Sequence, residues 1–397
     1  MFDNKNTRPV IFINQTVGKL FIELVEDAAK VYSSILYTGL ASNCDIDSTS
    51  FTKIEAPAYN RKNNFARLFS WLHFSAKAFL YVLVAYSPSV LFIVTNPPLL
   101  GLVGLFFRLL RKQKYVVLVY DIYPDLLVGM GKLRNGIISK LWSSMNRVVL
   151  QHASLVFTIG EDMAHLLDTS YNLSHTAAGH AIVIPNWCDI NKIKPIAKQN
   201  NPFAAEHCQV EKITVLYSGN MGNTHDIESI LAVACELKNH KKIHFMFIGE
   251  GAKSSLVEQT MVKEKLNNIS LLPFQPEDVL PLSMATGDIG IVAYQPGTEA
   301  CIVPSKTYYY MAAGLASLVV SGTETDLSRL LVKNHCGIFL RSGDIEGMKQ
   351  AILQLAENPE LLKKYKESAR TTAEKYFSRR NTQQYIDALE QYGLVQE

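Results

Sequence analysis

Pro304, Ser305 and Lys306 form the most chemically suggestive run in the chain. A short apolar, β-branched segment, Asp288 to Tyr294, precedes them, and a helical run ending at Gly314 follows. Proline is tolerated in the first turn of a helix, so this helix should start near Lys306. A helix N-terminus offers unpaired N–H groups and about half a positive charge. A lysine placed there is electrostatically wrong unless something negative binds, so Lys306 points to a phosphate, with Ser305 and Thr307 supplying neighbouring N–H groups. The plain alternative is a surface lysine near a helix end. A second candidate is the turn Ser218 to Gly222, where Gly219 and Gly222 flank Asn220 and Met221. Glycine there would let backbone N–H groups approach a phosphate with no Cβ in the way. Gly18, in the loop after the first apolar run, has the same potential, although tight turns alone also explain such glycines.

The elements that must hold these residues alternate short buried strands with amphipathic helices. Pro9 to Asn14 reads as a first strand, followed by a helix over Leu20 to Tyr32 and strand-like runs at Ser33 to Tyr37, Val90 to Thr95, Tyr115 to Tyr120, Leu155 to Ile159 and Ala181 to Ile184. Helical patterns cover about 65–85 and 137–151. The alternation weakens between Asn186 and Glu211 and resumes at Ile213 to Tyr217, His244 to Ile248, Ile269 to Leu272, Ile289 to Ala293 and Leu318 to Val320. The expectation is α/β, with two doubly wound Rossmann-like domains: 1–190, a linker over 191–211, 212–375, and a C-terminal helix over 376–397 returning to the first domain. If the strand ends of two such sheets meet, the Gly18 loop, the Gly219 turn and the Lys306 helix would face one central cleft.

With 397 residues, 48% of them hydrophobic and 19% charged, the chain is globular and long enough for two domains. Six scattered cysteines without a C-x-x-C pair, and no secretory signal before Val10, suggest a reducing cytoplasm. None of the ten histidines has metal-ligand spacing, and His244 reads as a strand residue. Asp45-Ile46-Asp47 is the one D-x-D triplet weighed as a ligand pair, but it sits in a loop, and no metal is expected. Apolar runs are too short or interrupted for a transmembrane helix. Gly101 to His152 nevertheless holds eight basic residues against two acidic ones, a surplus of six in a chain whose net charge is +3.

The series I-P-N-W-C-D (184–189), Y-S-G-N-M-G (217–222), F-I-G-E-G-A-K (247–253), V-P-S-K-T-Y-Y-Y-M-A-A-G (303–314) and N-P-E-L (358–361) resembles retaining glycosyltransferases of family 4. In the first half, T-N-P-P (95–98) and Y-D-I-Y-P-D (120–125) resemble the branch that builds bacterial O-antigen, capsule and exopolysaccharide. The resemblance implies a GT-B fold, with a nucleotide sugar held mainly by the second domain and the acceptor by the first. It implies donor diphosphate contacts at Gly18, Gly219, Asn220, Ser305, Lys306 and Thr307. Nucleoside or sugar contacts are implied at Gly249, Gly251, Lys253, Phe274, Glu299 and Tyr309. One departure is that the family's glutamate pair, spaced by seven residues, is absent. Counting back from Met311, the pair would fall at Tyr309 and Cys301, so Glu324 is the candidate for the missing ribose contact, with a solvated loop acid as the alternative.

Breaking a sugar–diphosphate bond develops negative charge on the leaving phosphate, and preorganised donors such as Lys306 can stabilise it without a metal. The resemblance implies retention by front-face substitution, so no dedicated base can be assigned. Asp121 is expected as a catalytic or positioning group, and Asn96 and Asp125 on the acceptor side, while Asp121 could instead merely cap a helix. The expected donor is UDP-linked and the expected acceptor a polyprenyl-diphosphate-linked or other saccharide; nucleic acid is not expected. A GT-B nucleotide-sugar 2-epimerase and a non-catalytic nucleotide-sugar-binding protein are the rival readings. Ile137, Leu141, Met145 and Val148 make a helical stripe flanked by Lys132, Arg134, Lys140 and Arg147. Alone it reads as core-facing. Beside Leu99 to Lys114 it reads equally as a surface for anionic lipid, which would place the protein peripherally on the inner face of the plasma membrane.

Overall fold

A computed structural model describes residues 7–39, 50–60, 64–85 and 88–396. Asp45 and Asp47 lie outside the described residues. The chain divides into two compact units, the first made of Met1–Val128, Leu133–Pro185 and Arg379–Glu397, the second of Gly129–Lys132 and Asn186–Ser378. Residues 191–211, expected as a linker, belong to the second unit, where Asn201 caps a short helix, Pro202–Glu206.

Unit 1 is built on seven strands: β1 (Val10–Ile13), β2 (Ser34–Thr38), β3 (Thr52–Glu55), β4 (Val90–Val94), β5 (Tyr115–Val119), β6 (Leu155–Thr158) and β7 (Ile182–Val183). They pair in the order β3-β2-β1-β4-β5-β6-β7, all parallel. Strands β1, β4, β5 and β6 are buried along their whole length, as expected when helices cover both faces of a parallel sheet. The C-terminal helix Asn381–Gln391 is part of this covering. Its Tyr385 ring packs edge-on against Phe157 and Phe92, and Tyr32 donates from its hydroxyl to Glu390 Oε1 at 2.9 Å. Just before it, the Arg379 guanidinium reaches Asp27 at 2.8 Å and Glu26 at 2.8 Å.

Unit 2 carries β8 (Ile213–Ser218), β9 (Ile243–Ile248), β10 (Ile269–Leu272), β11 (Ile289–Ala293), β12 (Ala316–Ser321) and β13 (Gly337–Arg341), ordered β10-β9-β8-β11-β12-β13 and again parallel. Its apolar core runs from Val215, Phe245 and Ile291 on the strands to Ile230 and Ile352 on the covering helices. Below the sheet's amino edge, Asp288 accepts from Lys366 at 2.9 Å, from the Thr214 N–H at 2.9 Å and from Lys198, a buried charge fully surrounded by donors.

Both sheets reverse strand order once, between β1 and β4 and between β8 and β11. In open α/β sheets, ligands bind outside the carboxyl ends of the strands at such reversals. That rule fixes where to look in each unit.

Candidate functional sites in the two units

In unit 2 the reversal brings Lys306 against the Gly219 loop. Lys306 opens the helix Lys306–Ala312, after β11, and its side chain crosses back over β8. The Nζ lies 3.5 Å from the centre of the Tyr217 ring, and a Cβ at Gly219 would stand 3.4 Å from Lys306 Cε. Lys306 Nζ is buried and has no hydrogen-bond partner among the described residues. Burial holds its pKa well below the ordinary lysine value. Beside it, burial first and the Lys306 charge second push His225 down to about 3, so this imidazole is neutral near pH 7. A buried cation with only an aromatic face for company is costly in isolation, and an arriving anion would supply the missing partner.

Several expected contacts take a different form. The Thr307 N–H and hydroxyl both donate to Pro304 O, at 3.3 Å and 3.0 Å, so they are spent inside the first turn. Ser305 is exposed beside them. The Gly219 N–H donates to Ile248 O at 2.8 Å, extending the sheet by one bond rather than waiting for a phosphate. Gly219 instead provides room for Lys306, with φ at +131°. Asn220 is exposed at the tip of the same loop, and its carbonyl accepts from the Tyr217 hydroxyl at 2.8 Å.

Gly249 and Gly251 are explained by loop packing. A Cβ at Gly249 would lie 2.2 Å from Gly219 O, and one at Gly251 2.5 Å from Met221 O. Two backbone bonds seal this contact, Met221 N–H to Glu250 O and Lys253 N–H to Met221 O, each 2.9 Å. Lys253, expected as a nucleotide contact, spends its ammonium on His225 O (2.7 Å), Glu228 (2.7 Å) and Gln295 (3.3 Å). It ties three loops together. Phe274, after β10, is 54% exposed and borders Gly249, leaving an open aromatic ring at the carboxyl edge of the sheet.

Glu299 bridges two loops: Oε1 accepts from the Gly322 N–H at 2.8 Å and Oε2 from the Gly297 N–H at 2.7 Å. Tyr309 is half-buried, and Glu324 is exposed on the loop after β12, where its carbonyl accepts from Arg329. Sequence reasoning missed His225 and Tyr310, whose hydroxyl accepts from the Ser218 N–H at 2.7 Å and braces the end of β8. No spacing marks either residue. His244 lies within β9, held to Ser270 at 2.7 Å and lowered to about 4 by burial.

In unit 1, Gly18, Asn96 and Asp121 follow β1, β4 and β5, three adjacent strands. Gly18 precedes the helix Lys19–Ala29 with a negative φ, and a Cβ there would meet nothing within 4 Å. The Gln15 N–H donates to Asn96 O at 3.2 Å, joining the first two loops. Asp121 lines a cavity of about 30 Å³ with Thr95, Pro98, Tyr123 and Asn146. Burial raises its carboxyl to about 6. It caps no helix, since the short helix here begins at Asp125. Asp125 accepts from the Tyr171 hydroxyl at 2.6 Å, which gives it a holding role.

The surface of unit 1 departs from the core-facing reading of the 137–152 helix. Ile137, Ile138, Leu141 and Val148 are exposed; of the stripe Met145 alone lines the Asp121 cavity, where the buried Val149 and Leu150 join it. The helices Asn64–Val84 and Gly101–Arg111 also expose large apolar side chains, among them Phe65 at 88%, Phe69, Leu109 and Leu110. Two of the basic residues nearby are anchored: Arg111 donates to Gln113 and to the carbonyls of Val82 and Leu83, and Lys114 donates to Gly393 O at 2.7 Å. Lys112 remains exposed. Among the described residues no helix is long and apolar enough to cross a membrane, and no group of three His, Cys, Asp or Glu could hold a metal ion.

Residues 212–358, within unit 2, match the protein family described as Glycosyl transferases group 1. Pseudomonas aeruginosa WbjE, named as a glycosyltransferase, is 26% identical over 264 residues, covering 66% of this chain and 65% of WbjE. Escherichia coli (strain K12) WcaI, named for glycosyl transfer in colanic acid biosynthesis, is 25% identical over 290 residues, covering 70% of this chain and 69% of WcaI. These matches span about two thirds of each relative's length. Anabaena HepE, solved in complex with UDP, has a TM-score of 0.71 at 13% identity, covering 97% of this chain and 100% of HepE. That likeness shows the fold: two Rossmann-like domains of the GT-B class. The family model that matches unit 2 and both relatives' names are those of glycosyltransferases.

Proposed function

We propose that this protein is a retaining, metal-independent glycosyltransferase that moves a sugar from a UDP-linked donor to a lipid-linked or saccharide acceptor during cell-surface polysaccharide synthesis. The observation that carries the reading is the buried Lys306 ammonium at the strand-order reversal of unit 2, with no hydrogen-bond partner among the described residues. A diphosphate beside it would favour the protonated lysine and pair with its charge in a site of low dielectric, where such a contact is worth far more than in water. HepE's complex with UDP supports a uridine nucleotide as the donor's carrier.

In the transfer, the bond between the sugar's anomeric carbon and the β-phosphate oxygen breaks, and Lys306 stabilises the charge left on that oxygen. The acceptor hydroxyl attacks from the same face and gives its proton to the departing phosphate. Neutral His225 adds no second charge against the diphosphate. Phe274 offers a stacking face for the base, and Glu299 positions the loops around the sugar. Asn96 and Asp121 belong to the acceptor side, where Asp121 orients a hydroxyl as a carboxylate above about pH 6. The exposed apolar and basic helices of unit 1 suit a position on the cytoplasmic face of an anionic membrane.

Release of UDP from a UDP-sugar, measured with and without acceptor, tests this reading. A transferase releases UDP in step with acceptor glycosylation. Release independent of acceptor would favour a 2-epimerase, and none under any condition would leave a nucleotide-sugar-binding protein.

A further inference from the structure

Between the helices Asn64–Val84 and Gly101–Arg111 runs an almost wholly apolar groove of about 350 Å³, walled by Leu68, Leu72, Phe79, Leu102 and Phe106. This is within the usual range of small-molecule sites, roughly 300–1,000 Å³. Its floor, Pro98 and Leu99, is shared with the cavity that holds Asp121 and Tyr123. The groove therefore leads from the exposed apolar surface to the acceptor-side loops of the same unit.

Two buried donors near it lack partners. Arg67 Nε and Trp71 Nε1, one turn apart on the first helix, have no hydrogen-bond acceptor among the described residues, while the Trp71 ring lines the groove and stacks on Tyr59. Tyr123, which lines the Asp121 cavity, feels the charges of both Arg67 and Asp121, so the guanidinium lies within electrostatic reach of the proposed acceptor site. From Ala56 to Tyr120 the sequence has no acidic residue at all. A half-buried guanidinium whose Nε is shut from water and which has no anion among the described residues, next to a hydrocarbon-lined groove, asks for a ligand with a negative head and one apolar chain.

We infer that this groove holds the hydrocarbon chain of a lipid-phosphate acceptor, with its phosphate on Arg67. The inference rests on the transferase reading for its purpose, but binding can be measured without turnover. The full-length protein is titrated with farnesyl phosphate and, separately, with farnesol, and each variant's UDP-induced thermal stabilisation is recorded to show that unit 2 is folded. Wild type should bind farnesyl phosphate about 10-fold or more tightly than farnesol, the worth of a charge-assisted contact. Arg67→Gln should bring the phosphate down to the level of the alcohol. The Leu72→Asp/Leu102→Asp double variant should weaken both ligands about 10-fold or more, with UDP stabilisation intact. Equal affinity for the two ligands in wild type, or farnesyl phosphate binding unchanged in the variants, would overturn the inference. So would loss of binding to phosphatidylglycerol vesicles with farnesyl phosphate affinity retained, since the groove would then be a bilayer contact. The expected binding pattern without any acceptor-dependent UDP release would leave the groove assignment standing and count against the transferase reading.

Discussion

Lys306 Nζ stands 3.5 Å from the centre of the Tyr217 ring, and that aromatic face is what the described residues offer its charge in place of a hydrogen-bond acceptor. The arrangement is unfavourable when empty and favourable when an anion arrives. Replacing Lys306 with Met should therefore stabilise the unliganded protein by ~1 kcal/mol, or about 2–4 °C in Tm, while abolishing stabilisation by UDP. A lysine whose folded pKa is lowered releases its proton on folding, so wild-type stability should rise with pH from that lowered value to about 10.4, and the variant should lack the slope. Thermal unfolding scanned across pH, with and without UDP, checks all three. A variant destabilised without ligand would mean that Lys306 holds the fold together.

Asp121 should impose an acid limb on activity. With its carboxyl raised to about 6 by burial, the carboxylate form is lost as pH falls through about 6, well above the usual carboxylate range. The pH dependence of kcat/KM should show that midpoint in wild type and lose it in Asp121→Asn, whose rate should be low and flat. An unchanged midpoint in the variant would assign the limb to another group.

The two parts of the Gly249 edge should separate experimentally. Gly249→Ala places a Cβ 2.2 Å from Gly219 O at a φ of +131°, so it should destabilise unit 2 by several kcal/mol, about 2 or more, seen as a lowered Tm. Phe274→Ala, at an exposed ring, should leave Tm nearly unchanged and raise the KM for the UDP-sugar. Unaltered KM would remove Phe274 from the donor site.

What the sequence made legible was whatever carries a local signature. Pro304-Ser305-Lys306 announced its helix, and suggested the anion now proposed for it, because proline placement and like charge act over one turn. The buried strands announced themselves through unbroken apolar runs such as YVVLV in β5. β3, with the sequence TKIE, has no such run and is a strand because β2 pairs with it. Gly219, Gly249 and Lys253 were legible as special positions, but their packing was not, since their neighbours come from other elements: Ile248 O at the end of β9, Gly219 O, and the His225–Glu228–Gln295 acceptors. The Asn64–Val84 helix was visible in its apolarity, while its exposure is a property of where unit 1 places it.

Activity should persist in EDTA, because the positive charge proposed at the diphosphate comes from Lys306 and not from a cation. Complete loss in the chelator, restored by magnesium or manganese, would show that Lys306 shares the phosphate with a metal.

The most direct test is the single-turnover rate of sugar transfer by Lys306→Ala, in a preparation shown by its unfolding transition to be folded. Loss of one preorganised transition-state donor costs about 3 kcal/mol, so the rate should fall roughly 100-fold or more. A rate within about threefold of wild type, worth less than ~1 kcal/mol, would contradict the assignment of Lys306 to the leaving diphosphate.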